Sequence, residues 1–383
     1  MKPLAAIPAA LPPQGVRVIM DLAWQTEGCI HLEVGEPDFR TPDHIVAAAT
    51  EAARTGFTKY TPNPGIADLR QAIVVKEARY NQVAVAVEQV CVHPGAVTGL
   101  FSVLLALINP GDEMLVPGLS WPNGEMALKT LHGVPVHYSL KLEQGFLPDV
   151  AELEMLVTPR TKALLINSPG NPTGAVFPEA LVLELVAFCQ RHDLWLISDE
   201  IYEQIVFGAV HVSPARFAPE RTITVSGFSK AYAMTGWRLG NTIAPADVAL
   251  VISRLQEPII SSTNSPTQKA GVAALMGPQD CVETMRQAYH RRRDLAVRVM
   301  AENGLYRYTP QGAFYLLVDV SAVGRDSYAV AKAILQAERV AVAPGEAFGA
   351  DGAGLVRVSL ASSEEALTEG LSRICRFVHR HSA

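Results

Sequence analysis

Short apolar segments separated by helical stretches fill the middle of the sequence and restrict the fold more than any other feature. Each segment is rich in β-branched or aliphatic residues, and helical patterns such as 179–192 lie between most of them. Strands that are buried on both faces and alternate with helices are typical of a parallel sheet covered by helices on each side. The pattern therefore predicts an α/β fold with a mostly parallel sheet. The segments are Val90–Val92, Glu113–Val116, Lys162–Asn167, Leu194–Ser198 and Thr222–Val225.

Upstream of these segments, the sequence predicts helices and one short strand. We expect helices over 16–27 and 66–80 and a strand over 30–34. A further helix is expected to begin at Thr41-Pro42-Asp43, with Thr41 as its cap and Pro42 in its first turn.

The carboxy-terminal third differs from the middle in its pattern. Beyond Gly277-Pro278, a long helical stretch over 280–303 leads to an alternating strand at 312–318. We expect a smaller α+β domain there, completed by the amino-terminal residues. The predicted division is 1–45 for an amino-terminal segment of the small domain and dimer contact, 46–282 for the large domain, and 283–383 for the small domain.

Composition and charge exclude several function classes for the 383 residues. The net charge of −6 argues against phosphate-backbone binding to nucleic acid as the main activity. The dense basic block His290–Arg293 is expected to lie on a solvated helix face. No apolar run reaches the length of a membrane span, and no His/Cys cluster has the spacing of metal ligands. The five cysteines (Cys29, Cys91, Cys189, Cys281 and Cys375) lie far apart, which favours free thiols and a cytoplasmic location.

Polar, turn-rich segments follow four of the predicted strands. They are 95–99 after Val92, 167–174 after Ile166, 199–202 after Ser198 and 226–240 after Val225. Because ligands bind outside the carboxyl ends of the strands in open α/β sheets, we expect these segments to line one site.

Two cations in the fourth segment indicate the chemistry of that site. Lys230 lies among small residues, and a lysine that loses its proton forms Schiff bases with aldehydes. Arg238 follows eight positions later, and the planar guanidinium suits phosphate. Small residues at Gly95, Ala96 and Val97 open a helix whose amino terminus would also favour an anion. An aldehyde that carries a phosphate engages all of these groups, and pyridoxal 5′-phosphate (PLP) is such a molecule.

PLP chemistry needs other groups as well, and the sequence supplies a candidate for each. Asp199 is the candidate carboxylate for the pyridine nitrogen, Asn171 and Tyr202 are candidates for the ring hydroxyl, and Trp121 is the candidate stacking ring. Arg357, in an alternating strand, is the candidate for the substrate carboxylate. Taken singly, Asp199, Trp121 and Arg357 are each more often structural than functional.

Three stretches together resemble the class I/II aminotransferases of PLP fold type I, the aspartate aminotransferase superfamily. They are Asn171-Pro172-Thr173-Gly174, Asp199-Glu200-Ile201-Tyr202, and Ser229-Lys230 through Met234-Thr235-Gly236-Trp237-Arg238-Leu239-Gly240. Their order and spacing are those of the family, and the resemblance covers nearly the whole chain. It implies a large domain with a seven-stranded sheet and transamination between an L-amino acid and a 2-oxo acid.

The resemblance also implies roles for individual residues. Lys230 would form an aldimine with PLP and carry the proton in a ping-pong cycle, with Asp199 and Tyr202 as the other catalytic groups. The phosphate would be held by Arg238 and the backbone of 95–97, and the substrate carboxylate by Arg357 and the backbone of Gly35. Tyr60 would reach the phosphate of the neighbouring subunit, which implies a homodimer with shared active sites. Trp121 and Asn171 would contact both cofactor and substrate.

The sequence departs from the family pattern at two places. Some members have a phosphate-binding serine where this chain has Gly227, so Ser226 or Ser229 would take that role. Dicarboxylate-specific relatives of one subgroup carry an arginine upstream of a Ser/Thr-Asn pair. The residues before Thr263-Asn264 include none from Glu257 onwards, which weakens aspartate or glutamate as the preferred donor.

Other functions remain open from the sequence. The same residues would serve PLP-dependent elimination, cyclisation or carbon–carbon bond formation. A PLP-binding regulator without turnover is a weaker alternative, because the chain has no spare length for a DNA-binding domain. A nucleotide-dependent dehydrogenase is disfavoured, since 95–99 lacks the Gly-x-Gly-x-x-Gly spacing.

Overall fold

The computed structural model describes Lys2, residues 4–11 and residues 15–382. Thirteen α-helices lie in this described part of the chain. They are α1 Ala6–Ala10, α2 Gly15–Trp24, α3 Asp43–Arg54, α4 Ala67–Lys76, α5 Ala96–Leu107, α6 Asn123–Thr130, α7 Val150–Leu156, α8 Glu179–Arg191, α9 Ala246–Ile260, α10 Ser265–Met276, α11 Asp280–Glu302, α12 Ser327–Glu338 and α13 Glu364–His381.

The same residues contain twelve strands, which form three sheets. Seven strands form one large sheet in the order β2-β8-β7-β6-β5-β3-β4, three form a smaller sheet in the order β11-β12-β9, and β1 pairs with β10. The strands are β1 Ile30–His31, β2 Val90–His93, β3 Glu113–Pro117, β4 Val134–Tyr138, β5 Thr161–Asn167, β6 Trp195–Asp199, β7 Thr222–Gly227, β8 Gly240–Ile243, β9 Tyr315–Asp319, β10 Val340–Ala341, β11 Ala343–Pro344 and β12 Leu355–Ser359.

The large sheet confirms the predicted α/β class. Strands β3 to β7 pair in parallel, while β8 runs antiparallel to both β7 and β2. Every residue of β2 and β3 is buried, as expected for strands with helices on both faces. The carboxyl ends of all strands of this sheet except β8 therefore lie along the same side of the sheet.

Two strands of the large sheet are not predicted by the sequence pattern. β4 contains Pro135 and has exposed residues at Val134 and His137, so it reads poorly as a buried strand although it forms the sheet edge. β8 has the sequence Gly-Asn-Thr-Ile and carries only one large apolar residue. β8 is buried because it lies between β2 and β7 and because α5 packs against it.

The apolar core follows this layering. One cluster lies on the sheet face that α8 covers, with Leu164, Leu185 and Phe188, and another on the α5 and α9 face, with Val103 and Ile252. The sheet is thus buried from both sides, which leaves its edge as the place for ligand chemistry.

The amino-terminal residues pack with the carboxy-terminal third. β1 pairs in parallel with β10, and the N–H of Ser359 donates to the carbonyl of Leu32. Leu32 lies in the same apolar cluster as Phe314 and Leu371. The domain limits given above stay a prediction.

Three local expectations were wrong. Thr41 does not cap α3: its hydroxyl donates to the carbonyl of Ala233, and Pro42 precedes the helix without a side-chain cap. The strand β9 is buried along nearly its whole length rather than alternating, because helices and the neighbouring sheet cover both of its faces.

The basic block at 290–293 is the third correction, since two of its arginines are buried. Arg292 donates from both terminal nitrogens to the Asp38 carboxylate, at 2.8 and 2.7 Å. Arg293 donates to the carbonyl of Pro310. These arginines tie α11 to distant segments instead of forming a solvated face.

Among the described residues, no helix is both long and apolar enough to cross a membrane.

Candidate active site

A cavity of about 380 Å³ lies at the sheet edge where the parallel strands end, a volume typical of small-molecule sites. The structure brings most of the predicted site residues into its wall. Those residues are Gly35, Ala96, Val97, Trp121, Asn171, Asp199, Tyr202, Ser229, Lys230, Arg238 and Arg357.

Lys230 lies in the turn that follows β7, so its amine enters the cavity from the sheet edge. Its Nζ donates to the carbonyl oxygen of Gly35 at 2.6 Å. Burial lowers the pKa of Lys230 to about 8, and the positive charge of Arg357 acts in the same direction. Loss of the proton is therefore easier for this amine than for an exposed lysine, and a nucleophile or base requires the uncharged form.

Asp199 is the last residue of β6 and carries a carboxylate without an ion pair among the described residues. Its Oδ1 accepts a hydrogen bond from the N–H of Ile201 at 3.2 Å. Burial, assisted by Glu200, raises the pKa of Asp199 to about 6. Such a carboxylate is suited to a cationic group on a bound ligand.

One corner of the cavity is built for an anion. Gly95 precedes α5 with φ of 87°, and a Cβ there would lie 2.4 Å from Nη2 of Arg238. The glycine thus lets the guanidinium approach the amino terminus of α5. Ala96 and Val97, in the first turn of α5, complete this corner, where the unpaired N–H groups and the helix dipole favour negative charge.

Arg357 forms the opposite wall and is only 1% exposed. Its Nη1 donates to Oδ1 of Asn171 at 3.0 Å, and its Nη2 donates to the carbonyl of Glu33 at 2.5 Å. The guanidinium carbon lies 4.3 Å from the ring centre of Tyr315 and 4.6 Å from that of Phe348. In the described part of the chain Nε has no partner. A desolvated cation held in this way suits the carboxylate of a ligand.

Three further side chains complete the cavity between these groups. The hydroxyl of Tyr202 lies 2.8 Å from that of Tyr315. Asn171 is fixed by its own N–H, which donates to Oδ1 of Asn167. Trp121 is half-buried and lies 6.1 Å, ring to ring, from Phe348.

Three predicted site residues do not line the cavity. Ser226 donates to Oε1 of Glu203 at 3.0 Å, on the far side of β7, whereas Ser229 lines the cavity. Tyr60 is 91% exposed and lies outside the cavity wall. Gly95 contributes only through its backbone position beside Arg238. The roles expected for Ser226 and Tyr60 stay predictions.

Several residues of the wall are not predicted by the sequence. Tyr315 lies at the start of β9, and Thr235 donates its hydroxyl proton to the carboxylate of Glu36 at the cavity mouth. Arg17 and Met20 of α2 also line the cavity. The position of Glu36 directly after Gly35 could have indicated it. The sequence predicts that the amino-terminal segment contributes to the mouth of the pocket, but it does not identify Arg17 and Met20.

A second group of charged side chains lies directly behind the cavity. We call it the buried ion cluster. It consists of Lys76, Glu77, Glu200, Glu203 and His211. The Lys76 ammonium contacts Glu203 and lies 2.8 Å from Oε1 of Glu77, and Nε2 of His211 lies 3.1 Å from Oε2 of Glu200. Ligand atoms of Glu200, Glu203 and His211 lie within 4.8 Å of one another. Because Lys76 already supplies a cation to Glu203 and His211 contacts Glu200, we assign no metal to the cluster, and the expected absence of a metal stays a prediction.

Comparison with known proteins is consistent with this geometry. The family model described as aminotransferase class I and II matches residues 27–374. The aspartate/prephenate aminotransferase of Thermus thermophilus is 40% identical over 364 residues, which cover 94% of each chain. A probable aspartate/prephenate aminotransferase of Aquifex aeolicus is 42% identical over 351 residues, covering 89% of this chain and 88% of the relative.

Solved structures show the same similarity along almost the whole chain. The aspartate aminotransferase of Thermus thermophilus with maleate superposes with a TM-score of 0.94 at 38% identity, covering 98% of this chain and 100% of the other. An aromatic aminotransferase from Pyrococcus horikoshii gives a TM-score of 0.90 at 38% identity, covering 94% and 99%.

Proposed function

The chain belongs to the class I and II aminotransferases and catalyses the transamination of amino acids; from this premise we propose that it does so with PLP bound in the cavity through Nζ of Lys230. The family implies this cofactor. The observation that carries the proposal is one cavity that combines a lysine of lowered pKa, a carboxylate without a cation and two arginines.

The residues of the cavity fit PLP at both ends of the molecule. Arg238 and the amino terminus of α5 would hold the phosphate, and the close approach at Gly95 supports this, since any larger residue would displace the guanidinium. Asp199 would pair with the pyridine nitrogen. When bound, PLP supplies an aldehyde that accepts the amino group and a ring that stabilises negative charge at the substrate α-carbon.

Lys230 would act as the base that moves the proton of the substrate. Its Nζ would take the proton from the α-carbon and return it during the cycle, and the lowered pKa of the lysine supports this role. Asp199 would keep its negative charge once a cation faces it, because an opposite charge nearby favours the ionised form. Arg357 would hold the substrate carboxylate, with Asn171 and its two flanking rings fixing the guanidinium.

The cycle would consist of two half-reactions. An L-amino acid would bind with its carboxylate at Arg357, leave its amino group in the site and depart as a 2-oxo acid. A second 2-oxo acid would enter the same position and collect that amino group. The same wall would therefore bind both substrates.

Reduction with borohydride followed by peptide mapping tests the proposal. The expected result is a label on the peptide that contains Lys230, with loss of activity in proportion to labelling. A label on another lysine, or a purified protein that has no visible absorption band after incubation with PLP, would overturn it.

The named relatives give no support to elimination, cyclisation, carbon–carbon bond formation or a regulatory role, since each is named as an aminotransferase. Aspartate is the first amino donor to test, because it occurs in the names of the relatives. The chain lacks the arginine before Thr263 noted above, so aromatic and aliphatic donors belong in the same screen. Loss of the visible absorption band on adding each amino acid alone would score the donors.

The remaining predictions are parts of the same proposal. A homodimer would bring Tyr60 of the partner subunit to the phosphate, which is supported by the exposure of Tyr60. A cytoplasmic location is supported by the five cysteines, all of which are free thiols. The placement of the amino-terminal segment in the small domain is supported by the pairing of β1 with β10, and the limits at 45 and 282 belong to the proposal.

A further inference from the structure

Tyr315 is the residue of the cavity wall that contacts both Tyr202 and Arg357. It is 1% exposed, its hydroxyl lies 2.8 Å from that of Tyr202, and its ring lies 4.3 Å from the guanidinium carbon of Arg357. A Cβ on Gly35 would lie 2.4 Å from the same hydroxyl, so the glycine leaves room for it. One side chain thus joins the two walls that the proposed function assigns to cofactor and substrate.

The packing contacts of Tyr315 involve its ring, and a phenylalanine would make the same contacts. The hydroxyl needs a separate explanation, because a buried hydroxyl costs free energy unless it forms a hydrogen bond. Its one protein partner among the described residues is the hydroxyl of Tyr202. The hydroxyl of Tyr202 in turn has no other partner there.

Either hydroxyl could donate in this bond, and counting protons shows what each direction would leave for a ligand. Each hydroxyl has one proton, and the bond between the two oxygens uses one of them. If Tyr202 donated, it would have no proton left for a molecule in the cavity. The positive charge of Arg357 lies over the Tyr315 ring and makes that phenol the stronger donor. Donation from Tyr315 to Tyr202 therefore leaves the Tyr202 proton free to point into the cavity.

We propose that Tyr315 is a positioning residue that donates its hydroxyl proton to Tyr202, directs the proton of Tyr202 toward the ring oxygen of the bound cofactor, and supports the Arg357 guanidinium with its ring. This inference rests on the proposed function, because it concerns the same cavity with PLP bound. It assigns the hydroxyl to the cofactor side and the ring to the substrate side, so the two parts can be tested separately.

Tyr315→Phe removes the hydroxyl and retains the ring. The measurement is the pH titration of the visible absorption band of the holoenzyme. Tyr202 would become a weaker donor, and the negative ring oxygen that remains when the chromophore loses its proton would be less stabilised. We expect the pH at the midpoint of this titration to rise by about half a unit to one unit. A shift of this size corresponds to the loss of one hydrogen bond. An unchanged midpoint would overturn the role of the hydroxyl.

Tyr308→Phe is the matched control. Tyr308 is a buried tyrosine whose hydroxyl accepts one hydrogen bond, from the N–H of Leu317, and it does not line the cavity. We expect thermal unfolding to move to a similar extent in both variants, while the midpoint moves only in Tyr315→Phe. An equal midpoint shift in Tyr308→Phe would show a general structural effect and would contradict the inference.

A double variant tests whether Tyr315 acts through Tyr202. In a Tyr202→Phe background, Tyr315→Phe should shift the midpoint no further, because the intermediary is already lost. Additive shifts would overturn the relay. Each of these variants removes one oxygen atom, and the Tyr202→Phe background gives a second measurement if one single variant is unstable.

The ring is tested by the binding of maleate, a dicarboxylate without an amino group, to the holoenzyme. Tyr315→Leu removes the contact to Arg357 and should weaken maleate binding about threefold to thirtyfold. Tyr315→Phe should change it less than about twofold. Equal weakening in both variants would contradict the assignment of the ring. A wild-type protein without a PLP absorption band would instead refute the proposed function, so the two failures are distinguishable.

Discussion

The cavity and the buried ion cluster behind it contain the same kinds of residue but use them in opposite ways. Each has a buried lysine, and each takes a carboxylate from the same turn, Asp199 for the cavity and Glu200 for the cluster. Lys76 contacts Glu203 and Glu77, and these carboxylates raise its pKa against the effect of burial. Lys230 has no carboxylate partner in the part of the chain that the structure describes, and burial lowers its pKa to about 8.

This difference between the two buried lysines shows how the same fold contains both a stabilising group of charges and a reactive one. In the cluster, the Glu203 carboxylate contacts Lys76 and accepts hydrogen bonds from Asn81 and Ser226. In the cavity, the Asp199 carboxylate accepts one hydrogen bond from a backbone N–H and forms no ion pair with any described residue. Paired charges hold the chain together, whereas charges without partners remain available for a ligand. Four predictions test this contrast, in order of decreasing effect.

Lys230→Met should abolish turnover, with a loss of about four orders of magnitude or more, because the base and the covalent partner disappear together. The free energy of unfolding should not fall, since no partner of Lys230 loses an ion pair. Single-turnover rates with an amino donor and urea unfolding measure the two effects. Retention of one-tenth of the activity would contradict the assignment.

Lys76→Met should do the reverse and destabilise the protein by about 3–5 kcal/mol, because Glu203 and Glu77 would remain buried without their cation. Urea unfolding at neutral pH is the measurement. The double variant Lys76→Met/Glu203→Gln should recover part of the loss, as expected for residues that interact directly. A loss below about 1 kcal/mol in the single variant, typical of an exposed pair, would show that the cluster is not the stabilising element.

Asp199→Asn should slow the half-reaction by about two to three orders of magnitude, because the amide carries no charge to offset a cationic ring nitrogen in a dry site. Unfolding of the cofactor-free protein should change little, since Asp199 has no ion pair there. Glu200→Gln is the matched control from the same turn, and its expected effect is on unfolding rather than on the half-reaction. Normal rates in Asp199→Asn would contradict the role of the carboxylate.

The pH dependence of stability should also separate the two lysines in the cofactor-free protein. The folded-state pKa of Lys230, about 8, lies below its ordinary value of 10.5. Below the folded-state value both states are protonated, and the folded state bears the full cost of the buried charge. Between the two values the unfolded state binds more protons, so the free energy of unfolding rises with pH.

The pKa of Lys76 shifts upward, so its contribution is complete below pH 10.5 and is lost only above that range. Urea unfolding at pH 7.5, 9 and 10 would measure this. Lys230→Met should be more stable than wild type at pH 7.5, with the difference shrinking toward pH 10. The difference between wild type and Lys76→Met should stay constant over the same range. A constant difference for Lys230→Met would contradict its lowered pKa.

Much of the fold and of the site could be predicted from the sequence, because local chemistry specifies them. Buried parallel strands require uninterrupted apolar residues, and the turns after them require glycine, proline and short polar residues. Asp199 ends its strand, and Asn171 and Lys230 follow theirs by a few positions, so predicting the strands also placed these side chains. The strands β4 and β8 were not predicted, because contacts with neighbouring elements stabilise them rather than an apolar composition of their own.

The sequence determined that a lysine, a carboxylate and an anion-binding turn meet at one sheet edge, since short connections cannot carry them elsewhere. Tertiary structure decided which of Ser226 and Ser229 faces the cavity, that Arg292 is buried against Asp38, and that Tyr315 joins Arg357 to Tyr202. Those outcomes depend on contacts between segments far apart in the chain. The direction and burial of a side chain are set by what packs against it, and no local pattern records that.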